Sequence, residues 1–143
     1  MTDKVVILVT VANRREGRQI ARHLVKNRLA ACVNMTPTIQ SIYRWEGKLV
    51  EDKEYLLLIK SARPLFPEIK TAITQIHTYH TPEIICLPII EGSENYLQWI
   101  SDSVKVSGEK GEWFCPRRSA TRNRTDVRFI SCRMRMLKSF KHS

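Results

Sequence analysis

The sequence predicts an α+β fold in which helices cover an antiparallel β-sheet. Short runs of apolar and β-branched residues, typical of strands, occur at residues 5–11, 55–59 and 84–90. Between them, apolar residues recur at helical spacing after Asn13 and after Pro64. The 143 residues match about one domain, and a hydrophobic content of 43% is enough for that domain to close its own core.

A change in periodicity predicts the first strand and the helix after it. Residues 5–11 form a β-branched run that is followed by polar Asn13. Asn13 and Glu16 have the spacing of a capping box, in which each side chain bonds a free backbone amide at the helix start. Ile20 and Leu24 then lie on one apolar stripe, so we expect this helix to lie on the sheet.

Residues 31–44 and 48–60 are predicted as two long strands joined by a tight turn. Gly47 supplies the positive φ that such a turn commonly needs. Pro37 cannot donate to a strand ladder, so we expect an edge or a bulge in the middle of the first of these strands.

Three further elements complete the predicted order. Pro64 and Pro67 mark the start of a second helix, which ends before His77. Residues 84–90 predict another strand, and Ser93 is expected to cap a short helix that runs to Val104. The order β-α-β-β-α-β plus one helix is the split β-α-β arrangement of a ferredoxin-like domain, with its two main helices on one face of the sheet.

The predicted strands are apolar on both faces, which indicates self-association. Residues 5–9, 55–59 and 84–90 are apolar at nearly every position, whereas a sheet covered on one face only alternates apolar and polar residues. Two helices cover one face. We therefore expect the other face to pack against a second copy of the same sheet in a stable closed oligomer.

Charge divides the chain into two parts. Residues 1–104 have 13 basic and 11 acidic side chains, whereas residues 105–143 have 11 basic and 3 acidic ones. We predict a domain over residues 1–104 and a basic tail over 105–143 that is disordered or weakly helical. Arginines interleaved with Trp113, Phe114 and Phe129 are compatible with RNA or anionic surfaces, but an extension that does not bind nucleic acid is the favoured prediction.

Other protein classes find no support in the sequence. No segment approaches the roughly 18–20 apolar residues of a membrane span, and the N-terminal apolar run is too short for a signal peptide. We expect a cytoplasmic protein. The four cysteines are far apart in the sequence, so we expect reduced thiols rather than disulfides. They are Cys32, Cys86, Cys115 and Cys132. No motif for a nucleophile, a metalloprotease or a redox dithiol is present, so we predict that the protein is not an enzyme.

Four spaced motifs occur in order between residues 29 and 99. They are Leu29-Ala30-Ala31-Cys32-Val33-Asn34, Tyr43-Arg44-Trp45-Glu46-Gly47-Lys48, His77-Thr78-Tyr79-His80-Thr81-Pro82-Glu83-Ile84 and Tyr96-Leu97-Gln98-Trp99. Together these motifs resemble the CutA family, also called divalent-cation tolerance proteins, over about residues 4–104. The resemblance implies a homotrimer of ferredoxin-like subunits, similar in architecture to PII signalling proteins.

The resemblance also implies candidate metal ligands. In a bacterial family member, a metal site is assigned to a cysteine at the end of the first strand and to adjacent histidines at the end of the second main helix. His77 matches one of these positions, whereas Val9 and Ile76 stand at the others. The family's His-Pro-Tyr motif is His77-Thr78-Tyr79 here, so the loop lacks the φ restraint of a proline.

Residue chemistry makes the same region a candidate cation site. Imidazole and thiolate suit copper, so His77 is a candidate ligand for copper or another divalent cation, with Cys32 and Glu83 as partners. The structural alternative is that His77 and His80 bond the last helix carbonyls or lie in solvent, and that Cys32 is a small buried residue.

A small-ligand pocket between subunits is the second hypothesis. It would be built from Trp45, Glu46, Lys60 and Tyr79, together with His77 and Glu83. The structural alternative is that Trp45 packs the hairpin tip and that Lys60 is a solvated charge. We therefore expect either a CutA-like homotrimer concerned with divalent metal tolerance, or a PII-like sensor or interaction scaffold that responds to a small ligand.

Overall fold

The computed structural model describes residues 2–105, and its elements follow the predicted order. The strands are β1 (Lys4–Val11), β2 (Cys32–Met35), β3 (Ile39–Trp45), β4 (Lys48–Ala62) and β5 (Ile84–Pro88), and the helices are α1 (Arg14–Lys26), α2 (Phe66–Ile76) and α3 (Glu94–Ser103). A 3-10 turn over Arg63–Leu65 leads into α2. The ferredoxin-like α+β fold class is thus confirmed, while the predicted basic tail lies beyond the described residues.

The five strands form an antiparallel sheet. Its strand order is β2-β4-β1-β5, and β3 pairs with the part of β4 that extends beyond β1 and β2. β1 runs along β4 from Lys4 opposite Ala62 to Val11 opposite Tyr55. Within the described chain, β2, β3 and β5 each pair with a strand on one side only. We call residues 39–54, the hairpin of β3 and the protruding half of β4, the arm.

Proline splits the first of the two long strands that the sequence predicted. β2 ends at Met35 and β3 begins at Ile39, with Pro37 between them. Thr36 bridges the gap, because its backbone N–H donates to the Leu56 carbonyl at 2.9 Å and its hydroxyl accepts from the Leu56 N–H at 3.1 Å. The interruption expected at Pro37 is therefore confirmed, as a break between two strands.

The arm ends in a two-residue turn of Glu46 and Gly47. Their φ angles are 49° and 78°, and Trp45 pairs with Lys48 on either side of them. Positive φ at both central residues is the geometry of a type I′ hairpin turn, which matches the twist of the flanking strands. The predicted tight turn at Gly47 is confirmed.

Two of the predicted caps and one strand end differ in detail from the expectation. Asn13 caps α1 by accepting the Glu16 N–H at 2.9 Å, but the Glu16 carboxylate bonds another loop. Ser93 is the N-cap residue of α3, yet its side chain makes no capping bond. β5 ends at Pro88 rather than at residue 90, since only the Ile89 N–H still reaches β1, at the Lys4 carbonyl.

The hydrophobic core lies between the sheet and the helices. Alternate residues of β1 and β4 point toward α1 and α2, as the two-residue period of a strand requires. The fully buried hydrophobic residues include Ile7, Val9, Val11, Ile20, Leu24, Leu57, Ile59, Ile69, Ile73 and Ile100. No helix among residues 2–105 is long and apolar enough to span a membrane.

The opposite face of the sheet is also apolar. We call it the outer face, and it includes the pairs Thr10 with Leu56 and Leu8 with Leu58, all half-buried. At the β5 edge, Ile85 and Leu87 are 44% and 43% exposed. This apolar second face is the feature on which the prediction of self-association rests.

Candidate functional site

A cleft of about 740 Å³ lies between the arm and the loop of residues 77–83. The arm contributes side chains from both strands, and Thr10 at the end of β1 also lines the cleft. The most relevant lining residues are Tyr43, Trp45, Asp52, Glu54, Tyr79 and Glu83. Because the cleft joins two separate segments of the chain, its shape depends on how the loop is held against the arm.

Two tyrosine–carboxylate pairs form one wall of the cleft. Asp52 and Glu54 are two residues apart on β4 and therefore point to the same face. The Tyr79 hydroxyl donates to Glu54 Oε1 at 3.0 Å, and the Tyr43 hydroxyl donates to Asp52 across the hairpin. Glu54 is only 5% exposed, so the bond from Tyr79 supplies a partner to a buried carboxylate.

The environment of the phenols keeps them protonated. Burial, followed by the hydrogen bond and charge of Glu54, raises the pKa of Tyr79 well above its usual value. The hydrogen bond to Asp52 is the main cause that raises the pKa of Tyr43. The described lining residues include no lysine or arginine, so the carboxylates give the cleft a negative potential.

His77, a predicted metal ligand, lies behind the cleft with a fully buried side chain. Its Nε2 is 2.7 Å from the Thr10 carbonyl oxygen, which only accepts, so Nε2 carries the proton and donates. Its Nδ1 lies 3.0 Å from the Tyr79 backbone nitrogen and accepts that N–H. Both ring nitrogens of His77 therefore already have partners within the chain.

Glu16 is the one buried acidic residue of α1. It is 5% exposed, and its Oε1 accepts the Thr78 backbone N–H at 2.7 Å and the Thr78 hydroxyl at 3.1 Å. This contact ties the start of α1 to the loop of residues 77–83. The loop lacks the φ restraint of a proline at Thr78, but Thr78 provides an N–H donor that proline lacks, and this donor bonds Glu16.

The three predicted metal ligands stand apart in one chain. Cys32 pairs with Lys60 on β4. His77 bonds Thr10, which lies opposite Leu56 on the same strand. Leu56 and Lys60 are about 13 Å apart along β4, so Cys32 and His77 are well separated. Glu83 lines the cleft instead. Within residues 2–105, no group of three His, Cys, Asp or Glu side chains is placed to hold a metal ion. The donors of one chain therefore do not fit a three-ligand metal site.

The predicted small-ligand residues are partly brought together. Trp45, Tyr79 and Glu83 line the cleft. Lys60 lies on β4 opposite Val6, six residues and about 20 Å from Glu54, and Glu46 is in the turn at the far tip of the arm. In one chain, Lys60 and Glu46 are therefore outside the cleft.

Sequence reasoning missed Tyr43, Asp52, Glu54 and Glu16. For Tyr43 and Asp52 a signal was available, because a two-residue turn at Glu46 and Gly47 fixes the register that makes them diagonal neighbours. No spacing rule connects Glu54 with Tyr79 or Glu16 with Thr78, since these contacts join distant segments.

The two described cysteines are free thiols. Cys32 and Cys86 are half-buried and unpaired by any disulfide, and burial raises the pKa of Cys86. The predicted thiols Cys115 and Cys132 lie outside the described residues.

Comparison with known proteins gives a consistent result over the described domain. Residues 5–103 match the model of a family described as CutA1 divalent ion tolerance protein. The divalent-cation tolerance protein CutA of Thermus thermophilus is 48% identical over 98 residues, which cover 68% of this chain and 95% of that protein. The crystal structure of CutA1 from Oryza sativa superposes with a TM-score of 0.71 at 39% identity, covering 73% of this chain and 95% of that one.

Longer relatives match over the same region. The chloroplastic protein CutA of Arabidopsis thaliana is 44% identical over 101 residues, which cover 71% of this chain and 56% of that protein. The chain thus spans nearly all of the bacterial relative and little more than half of the plant one.

Proposed function

This chain belongs to the CutA1 family of divalent ion tolerance proteins, and from that membership we propose that it serves the tolerance of divalent metal ions, copper among them, as a homotrimer. It acts by binding or assembly rather than by catalysis, and it works in the cytoplasm. The single observation that supports assembly most directly is the apolar outer face of the sheet.

The outer face gives self-association a driving force. Leu8 and Leu58 are half-buried at its centre, and Ile85 and Leu87 are exposed at its edge. At about 25 cal/mol per Å² of apolar surface, covering several hundred Å² per subunit contributes on the order of 10 kcal/mol before entropic costs. The unpaired edges of β3 and β5 add backbone donors and acceptors that a neighbouring copy can satisfy.

The cleft supports the cation part of the proposal. Asp52, Glu54 and Glu83 line it without a described lysine or arginine, and such a surface concentrates cations. His80, which is exposed, also lines the cleft and offers an imidazole that suits copper or zinc.

Sedimentation of matched variants tests the assembly. Ile85 on the outer face and Val25 on α1 are equally apolar and similarly exposed, at 44% and 43%. The unmodified chain is expected to sediment at about three times its 16.7 kDa mass at micromolar concentration. Ile85→Asp should produce monomer, whereas Val25→Asp should leave the trimer intact. Equal behaviour of the two variants would contradict an interface on the outer face.

A thermal-shift comparison tests the ligand. The alternative function, a PII-like sensor or scaffold, is favoured by the cleft of about 740 Å³ with Trp45 and Tyr79 on its walls. A ligand at 100 times its Kd stabilises a protein by about 2.7 kcal/mol, enough for a clear shift in Tm. Stabilisation by Cu(II) or Zn(II) but not by small anionic or nucleotide metabolites supports the tolerance role, and the reverse pattern supports the sensor.

A further inference from the structure

We propose that Glu16, His77 and Thr78 form a latch that fixes the loop of residues 77–83, and that His77 in this chain is a structural member of that latch rather than a metal ligand. The proposal depends neither on the trimer nor on which cation the protein meets. The family resemblance implies that His77 is a metal ligand, whereas the proposal gives His77 a structural role.

The hydrogen bonds of His77 leave no lone pair for a metal. Nε2 donates to the Thr10 carbonyl, so the only ring lone pair is on Nδ1, and Nδ1 accepts the Tyr79 N–H. A metal at Nδ1 would leave that backbone N–H without its partner, and the side chain is fully buried. Coordination at Nε2 would instead require the loss of the bond to β1.

The two positions that the family resemblance pairs with His77 offer no donor to share a metal. The nearest carboxylate oxygen, Glu16 Oε1, lies 3.4 Å from His77 Nδ1 and already accepts from the Thr78 N–H and hydroxyl. Val9 is a fully buried core residue on β1, and Ile76 is a half-buried apolar residue that packs against the core. A protein site for copper or zinc generally needs three or four ligands, whereas these two neighbours contribute only hydrocarbon. Val9 belongs to the hydrophobic core and Ile76 packs against it, so neither position supplies a metal ligand.

Glu16 and Thr78 supply the second half of the latch. The Glu16 carboxylate is 5% exposed, and a charge at that depth requires hydrogen-bond donors. Thr78 provides two of them, its backbone N–H at 2.7 Å and its hydroxyl at 3.1 Å. A threonine with an N–H donor thus restrains, through Glu16, the position that a proline ring would restrain covalently.

The latch connects three elements of the fold. His77 holds the loop to Thr10 at the end of β1, and Thr78 holds it to Glu16 at the start of α1. The next residue, Tyr79, then reaches Glu54 at the base of the arm. Release of Glu16 or His77 therefore loosens one wall of the cleft.

Hydrogen exchange of the full-length chain tests the latch. Glu16→Ala should speed exchange of the Tyr79 amide by tenfold or more, and Glu16→Gln, which keeps an acceptor oxygen, should speed it less. Thr78→Val keeps the N–H and should give an intermediate effect, while the matched control Thr81→Val in the same loop should give none.

A double variant tests whether Glu16 and Thr78 restrain the loop through the same contact. The double variant Glu16→Ala/Thr78→Val should exchange at the Tyr79 amide no faster than Glu16→Ala alone, since one bond cannot be lost twice. Multiplied effects in the double variant, or equal effects of Thr78→Val and Thr81→Val, would overturn the latch.

Copper titration of the full-length chain tests the role of His77. ¹⁵N NMR of the unmodified protein should show the neutral Nε2–H tautomer of His77, unchanged while Cu(II) is added. His77→Gln should change the Cu(II) affinity by less than twofold, with His80→Gln as the matched control on an exposed histidine. A tenfold loss in His77→Gln alone, or paramagnetic broadening of the His77 ring before that of His80, would overturn the proposal. Neither result would alter the trimer mass or the thermal-shift pattern that tests the proposed function.

Discussion

Removing the hydroxyl of Tyr79 should destabilise the protein through the buried carboxylate of Glu54. Tyr79→Phe keeps the ring, whose centroid is 4.9 Å from that of His77, and deletes only the donor that lies 3.0 Å from Glu54 Oε1. A bond to a charged group contributes about 1.5–3 kcal/mol, and Tyr79 is half-buried, so we expect a loss near 1.5 kcal/mol.

Equilibrium urea unfolding at a fixed protomer concentration measures this loss, because the stability of an oligomer depends on concentration. Tyr43→Phe is the matched control, since it removes the corresponding bond to Asp52 on the exposed part of the arm and should cost clearly less. In a Glu54→Gln background the effect of Tyr79→Phe should shrink, because the carboxylate charge is gone. Equal losses in Tyr79→Phe and Tyr43→Phe would refute the assignment of Glu54 as a buried, tyrosine-dependent charge.

The remaining predictions concern pH, a cap and a close contact. The pKa of Tyr79 is raised in the folded state, so above about pH 10 the unfolded chain loses a proton that the folded chain keeps. The free energy of unfolding should therefore fall above this pH by up to about 1.4 kcal/mol per pH unit. In Tyr79→Phe this fall should be less steep. Asn13→Ala should cost about 1 kcal/mol in thermal unfolding, because the Glu16 N–H loses its cap; a neutral result would contradict the 2.9 Å bond. In Gly17→Ala the new Cβ would lie 2.8 Å from Met35 Sδ, so a net loss of about 1 kcal/mol is expected despite the better helix propensity, and a stabilised variant would show that Met35 moves freely.

The sequence predicted the elements well where one local rule decides the outcome. The β-branched run of β1, the turn at Gly47 and the interruption at Pro37 depend on residue type alone, and each is found in the structure. The long strand over residues 31–44 was wrong as one piece, because a residue without an N–H divides the ladder on both sides of Pro37. Similarly, only the Asn13 half of the predicted capping box forms, because the Glu16 carboxylate bonds Thr78 instead.

The candidate site was less predictable because tertiary contacts build it. Tyr79 meets Glu54 and Thr78 meets Glu16 across 25 and 62 residues of sequence, and no periodicity relates such distant positions. Lys60 shows the opposite problem, because it was predicted in the pocket but lies outside it. Lys60 and Glu54 are on the same strand, yet the strand is long enough to place Lys60 at the other end of the sheet.

In the described chain, strand edges of different kinds are unpaired: those of the terminal strands β2 and β5 of the sheet, and that of β3 in the arm. Copies that pair through two different edges form a head-to-tail interface. Such an assembly closes into a ring only when a whole number of rotations between neighbouring copies adds up to 360°. The arm presents the unpaired edge of β3, so its twist is expected to contribute to that rotation in the proposed trimer. A substitution that unwinds the Glu46–Gly47 turn is therefore expected to disturb the closure of the proposed trimer and to favour an open-ended series of copies.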